Sequence, residues 1–165
     1  IDSLEAFSKM YKELLLNESG VRTIIEALIS AGVAAGIAGS SRPCSGSEHL
    51  FSHALEFITH GNCGLHGERV GLGTIIMSKL YGMDFEAIIA VLENVKAPVK
   101  ANQLNLTEKD VVQSLLIAQD LRPERYTILS KIKLNKKTTI IIVSTIKPKC
   151  SISSPTLIIT QKKLN

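Results

Sequence analysis

Ser47-Glu-His-Leu-Phe-Ser-His-Ala-Leu-Glu-Phe-Ile-Thr59 reads as one helix: serine suits a helix start, an apolar, histidine-bearing run follows, and His60-Gly61 closes it. Working outward, the turn Gly61-Asn-Cys-Gly64 leads into a helix from about His66 to Tyr81, with Gly82 as its stop. Asp84 caps a further helix, Pro98 marks a break, Thr107 with Asp110 resembles a capping box, and a short helix follows Arg122-Pro123. On the other side, the Gly, Ser and Pro of Gly39 to Ser47 form a loop. Before it, a helix opened by Ser19 or Gly20 runs to Ala38, and another spans about Ser3 to Leu16. The expected fold is therefore all-α, a bundle of about six helices.

Composition agrees. The 165 residues are 45% hydrophobic but only 4% aromatic, without tryptophan, which suits close helix packing better than a sandwich or barrel. A length of 165 residues fits one soluble domain with its own core. The formal charge of +4 is unevenly placed: residues 1 to 124 carry −5 and residues 125 to 165 carry +9. An acidic body without interleaved aromatics argues against nucleic-acid binding. Cys44, Cys63 and Cys150 form no CxxC pair, so a reducing, cytoplasmic setting is expected rather than a disulfide framework. Val21 to Ala38 is the most apolar stretch, but with Arg22, Glu26 and many small residues it reads as a buried helix, not a membrane insertion. Gly32, Gly36 and Gly39 share a face that another backbone can approach. The chain begins at Ile1 in mid-pattern, which reads as a piece lacking its upstream part.

The last segment differs. From 135 to 165 acids vanish and β-branched runs such as Thr138-Thr-Ile-Ile-Ile-Val-Ser-Thr-Ile146 appear, so an irregular or strand-prone tail is expected after a helical domain over 1–134. The Lys136-Lys137 pair makes an A-rich codon tract plausible and suggests a reading-frame shift there.

All four histidines, His49, His53, His60 and His66, fall within 18 residues. Imidazole is the commonest transition-metal ligand and titrates nearest neutral pH, so the clustering points to metal or proton chemistry. His49 and His53 are four apart and share a helix face, a spacing used by helical metal sites, and His66 can fold back across the turn to join them. A partly buried histidine bonded to a backbone carbonyl is the plain alternative. No nearby carboxylate completes a ligand set, since Glu48 sits about 100° around the helix from His49. His60 reads as a turn residue; Cys63 could ligate zinc, but a single cysteine in a turn reads as structural. Arg42 with Ser40 and Ser41, before a helix start, forms a candidate anion-binding loop; its alternative is a solvated arginine among serine caps.

Four stretches then carry a resemblance: Ala38-Gly-Ser-Ser-Arg-Pro43, Ser45-Gly-Ser-Glu-His-Leu-Phe-Ser-His53, Leu65-His-Gly-Glu-Arg-Val-Gly71 and Leu121-Arg-Pro-Glu-Arg-Tyr-Thr-Ile-Leu129. Together they resemble the sn-glycerol-1-phosphate dehydrogenases, relatives of glycerol dehydrogenase and the 3-dehydroquinate synthases among iron- or zinc-dependent alcohol dehydrogenases. The match runs over about residues 1 to 130 and concerns the helical half of that two-domain family. The resemblance implies one Zn2+ held by His49 and His66, with His53 as a catalytic and substrate-binding residue and Ser40, Ser41 and Arg42 lining the pocket. The family's third ligand, an aspartate, has no counterpart here.

It also implies NAD(P)H bound mainly by an absent nucleotide-binding domain, whose contacts within this chain are unassigned. Dihydroxyacetone phosphate and sn-glycerol 1-phosphate are the implied substrate and product, the latter the backbone of archaeal-type membrane phospholipids, and a homo-oligomer is compatible with the family. The alternatives are one half of a zinc-dependent glycerol or polyol dehydrogenase, and an inactive free-standing helical module. The isolated chain is expected to be inactive.

Overall fold

The computed structural model describes residues 18–146, so the expected helix over Ser3 to Leu16 lies outside the described residues. Seven α-helices are present: α1 (Glu18–Ala38), α2 (Ser47–Thr59), α3 (His66–Leu80), α4 (Phe85–Asn94), α5 (Glu108–Ile117), α6 (Ile128–Lys131) and α7 (Lys136–Thr145). Short 3-10 turns cover Arg42–Cys44 and Ala101–Leu104, and no strand occurs among the described residues. The all-α expectation holds.

Helix α2 is the central element, packed against α3 on one side and α5 on the other. Leu50, Phe51, Ala54 and Leu55 are all fully buried along it. Burial of such side chains stabilises by about 1.5–3 kcal/mol each for Leu and Phe, so this single face is a large part of the core. Facing them are Leu72, Ile76 and Met77 of α3, Val111 and Leu115 of α5, and Ile128 and Leu129 of α6. The α2–α3 crossing is close because position 73 is glycine: a Cβ there would stand 2.9 Å from the Glu48 carbonyl oxygen and 3.0 Å from a Phe51 ring carbon.

Caps set the boundaries. Asp84 accepts the Ala87 N–H at 3.0 Å to open α4, and Thr107 and Asp110 form the reciprocal box that opens α5. Tyr81 caps α3, with Gly82 beyond it at φ 71°. Residues Arg122 to Arg125 form a turn rather than a helix, and the short helix starts at Ile128.

Two expectations are corrected. The described part of the tail is neither irregular nor strand: Lys136–Thr145 is helical. Asn135 Oδ1 accepts the Thr138 N–H at 3.0 Å at its start, and Thr139, Ile142, Val143 and Ile146 make a stripe at helical spacing on the core. The helical cost of β-branched residues is at most about 0.7 kcal/mol each, and it is opposed by the partial burial of Ile142, Val143 and Ile146 against the core, at about 25 cal/mol per Å² of apolar surface removed from water. The residues beyond Ile146 lie outside the described ones.

The second correction concerns α1, read from sequence as a buried helix. Only Gly20 is buried within it, while Leu28 is 66% and Ile37 84% exposed. Its 21 residues are long and apolar enough to cross a membrane by length and composition. The helix rests chiefly on the Arg42–Cys44 turn, where the Cys44 thiol donates to the Ala31 carbonyl at 3.4 Å. Neither Gly32 nor Gly36 has a neighbour within 4 Å of a built Cβ, so the close backbone approach suggested by their spacing is absent among the described residues. Composition registers how apolar a helix is, not what covers it.

Candidate metal and substrate site

Three of the four histidines converge at the junction of α2 and α3. His49 and His53 stand one turn apart on α2, and His66 is the first residue of α3. The His49 and His66 ring centroids are 5.3 Å apart, and those of His53 and His66 5.9 Å. The turn that folds α3 back uses two left-handed glycines, Gly61 at φ 85° and Gly64 at φ 72°. His60 is the left-handed C-cap of α2, exposed, and stands apart from the cluster, as its turn position suggested.

Two of the rings are tied at Nδ1. The His49 Nδ1–H donates to Glu48 Oε1 at 2.8 Å, and the same oxygen accepts the Gly46 N–H at 2.7 Å. Burial alone would raise the Glu48 carboxyl, but hydrogen bonds from His49, Gly46 and its own backbone outweigh it and hold the pKa below the usual carboxylate value. His66 Nδ1 pairs with Ser52 Oγ at 3.3 Å. Ser52 is fully buried and accepts the Arg69 Nε–H at 3.2 Å.

Arg69 organises that side. It is 6% exposed and also donates to the Gly64 carbonyl at 2.9 Å and to Glu56 Oε2 at 3.1 Å, the latter neutralising its charge. An α2 carboxylate, an α3 guanidinium and an α2 hydroxyl thus lead in sequence to His66. Neither Glu48 nor Arg69 emerged as a site residue from sequence. The available signal for Arg69 was its position one turn after His66, on the face of α3 turned to α2.

His53 lies further out and is exposed. Its imidazole is held below the ordinary histidine value, first by partial burial against its neighbours and then by the charge His66 would carry, with Glu56 opposing. It therefore favours the neutral form, with one nitrogen to donate and one to accept a proton.

The Ser40–Arg42 loop is engaged elsewhere. Arg42 Nη2 donates to the Tyr126 carbonyl at 3.4 Å, while Arg125 donates to Ser45 Oγ at 3.1 Å and Ser41 Oγ at 3.5 Å. Ser40 Oγ accepts the Arg42 N–H at 3.5 Å. Two crossed arginines thus staple this loop to the 125–126 segment. A cavity of about 580 Å³ between α3, α5 and α7 is lined by Leu72, Ile76, Leu106, Val143 and Ile146, without any of the histidines.

The donor set matches zinc in kind but not in number. Two neighbouring imidazoles are suitable ligands, whereas a catalytic zinc usually takes three protein ligands plus an open position. Among the described residues no group of three or more His, Cys, Asp or Glu is placed to hold a metal ion.

No family model matches the chain. Curated proteins do. It is 56% identical over 121 residues to the glycerol-1-phosphate dehydrogenase (NAD(P)+) of Nitrosopumilus maritimus (strain SCM1), covering 73% of this chain and 34% of that protein. The protein of the same name from Cenarchaeum symbiosum (strain A) is 55% identical over 116 residues, 70% of this chain and 32% of its own length. That from Saccharolobus solfataricus is 57% identical over 110 residues, 67% of this chain and 31% of its own length. The chain spans about a third of the length of the curated relatives it matches. At this identity across two thirds or more of its residues, with the Gly-Ser-Glu-His and His-Gly-Glu segments meeting at one site, the chain is similar to about one third of these glycerol-1-phosphate dehydrogenases.

Proposed function

We propose that this chain is the helical, metal- and substrate-facing part of an NAD(P)-dependent glycerol-1-phosphate dehydrogenase that reduces dihydroxyacetone phosphate to sn-glycerol 1-phosphate for ether-lipid synthesis in the cytoplasm. The observation that carries it is the meeting of His49, His53 and His66, with ring centroids 5.3 and 5.9 Å apart, in a chain 56% identical to an enzyme of that name. Two nitrogen ligands, His49 and His66, would hold Zn2+, with an aspartate from outside this sequence completing the set. Bound there, the ion supplies Lewis acidity to polarise the substrate ketone.

The chain's own residues then divide the remaining work. His53, neutral and at the exposed edge of the cluster, orients a substrate hydroxyl and relays a proton. It gives its ring N–H proton to the alkoxide oxygen after hydride arrives at the carbonyl carbon, while its other ring nitrogen takes one from solvent water. By the resemblance Arg42, with Ser40 and Ser41, would line the substrate pocket, and its bond to the Tyr126 carbonyl would have to yield to do so. The described residues form helices joined by turns, without a strand, and the nicotinamide cofactor would be held mainly by a dinucleotide-binding α/β domain of the full enzyme.

The test is a chimera in which these residues replace the matching third of the Nitrosopumilus enzyme. Zinc content and NADPH oxidation are followed with dihydroxyacetone phosphate and with dihydroxyacetone. The expected result is turnover that depends on the phosphate, loss of zinc in His49→Ala and His66→Ala, and retained zinc with raised KM in His53→Ala. Preference for the unphosphorylated ketone would instead indicate a polyol dehydrogenase. Loss of zinc in His53→Ala would refute the assignment of roles.

A further inference from the structure

We propose that Glu48 is the positioning residue of His49: its carboxylate, held in place by the Gly46 N–H, fixes the proton on His49 Nδ1 and leaves Nε2 as the metal-binding nitrogen. This rests on the zinc reading above and adds a residue to it.

Three observations carry the inference. Glu48 Oε1 accepts two hydrogen bonds at once, from the Gly46 N–H at 2.7 Å and from the His49 Nδ1–H at 2.8 Å. A carboxylate has no hydrogen to offer, so the ring nitrogen must be the donor, and the neutral imidazole then keeps a lone pair at Nε2 alone. The carboxylate also lies close beside position 46. A Cβ at position 46 would stand 2.8 Å from Glu48 Oε2 and 3.4 Å from Oε1, although the Gly46 φ of −104° is open to any residue. A methyl there would push the flexible carboxylate aside, away from the Gly46 and His49 donors. Finally, the ring so fixed is the one whose centroid lies 5.3 Å from His66. Metal-bound histidines commonly donate their second ring N–H to such a partner, and losing it weakens metal binding by about ten- to a hundredfold.

A purely structural role, tying the start of α2, would involve the Gly46 bond but would make no demand on the imidazole proton. The experiment reads that proton directly. The full 165-residue chain, free of metal, is examined by long-range proton–nitrogen correlation NMR at about pH 8.5, two units above the ordinary histidine pKa. The variants Glu48→Ala, Glu48→Gln and Gly46→Ala are compared. The wild type should show His49 as the Nδ1–H tautomer. Glu48→Ala and Gly46→Ala should move the proton toward Nε2, while His53 keeps its signals and helical circular dichroism is unchanged. Glu48→Gln should restore the wild-type pattern, because its amide oxygen can accept both bonds. Zn2+ alone, titrated into the same samples, should bind about tenfold or more weaker to Glu48→Ala than to wild type or Glu48→Gln.

A proton on His49 Nε2 in the wild type, or a Glu48→Ala spectrum identical to it, would overturn the proposal. The expected tautomers together with zinc that perturbs neither His49 nor His66 would overturn the zinc reading while leaving the hydrogen-bond assignment standing.

Discussion

Replacing Arg69 by methionine removes the guanidinium that joins α2, α3 and the intervening turn while keeping most of the side-chain volume. In the structure Arg69 donates to Ser52, to the Gly64 carbonyl and to Glu56. Hydrogen bonds involving a charged group contribute about 1.5–3 kcal/mol each, and breaking a buried ion pair costs about 3–5 kcal/mol. The Glu56 side chain, however, is 53% exposed and regains water when its partner leaves, so its share falls to the low end. Ser52 is fully buried and keeps no such option. The balance comes to about 3 kcal/mol of lost stability. With a urea slope of about 1.5 kcal/mol/M, the unfolding midpoint should fall by about 2 M by circular dichroism. Arg69→Lys should recover less than half, because one ammonium cannot fork to three acceptors set around a planar group. A midpoint shift below about 0.5 M for Arg69→Met would refute the view that this arginine holds the histidine-bearing helices together.

Other substitutions test other contacts. Gly73→Ala places a methyl 2.9 Å from the Glu48 carbonyl oxygen and should destabilise by about 1–3 kcal/mol in denaturant melts, with parallel movement of the His49 resonances. Asp110 is held below the ordinary carboxyl pKa by hydrogen bonds from the Thr107 hydroxyl and then the Thr107 N–H. A carboxyl with a depressed folded pKa contributes stability above its unfolded pKa and loses it as pH falls through the folded value. Asp110→Asn should therefore flatten the acid limb of the stability–pH curve, and an unchanged limb would contradict the capping box. Val143→Asp sets a carboxylate against the core under α7 and should lower stability by at least about 2 kcal/mol, with faster tryptic cleavage after Lys136 or Lys137.

Much of this architecture is legible in the residues because its boundaries are written locally. The Asp84 cap, the Thr107 and Asp110 box and the Gly82 stop act within a few residues of themselves, and each appears as read. What failed to be legible depends on partners distant in sequence. The β-branched tail helix forms because Thr139, Ile142 and Val143 find a core supplied by α3 and α5. Helix α1 carries a buried helix's composition without cover among the described residues. At the site, spacing pairs His49 with His53, and the short Gly61 to Gly64 turn, legible as a turn, lets His66 fold back to join them, as it does. Glu48 was passed over on the rotation of 100° per residue. That rule places Cβ atoms, and two flexible side chains on neighbouring positions still met at 2.8 Å.

The two glycines that crowd Glu48 have a consequence for how this sequence can change. Gly46 makes room for its carboxylate and Gly73 for its carbonyl, although 27 positions separate them in the chain. Substitutions at 46 and 48 should therefore not add, since the Glu48 carboxylate is what a side chain at 46 would meet, whereas a side chain at 73 would meet the backbone carbonyl that any residue at 48 carries. Removing the carboxylate should make an alanine at 46 nearly harmless, whereas the same alanine beside an intact Glu48 should displace the carboxylate from the Gly46 and His49 donors. Positions 46 and 48 should therefore exchange together, whereas position 73 is held by the close approach of the α2 backbone whatever side chain stands at 48.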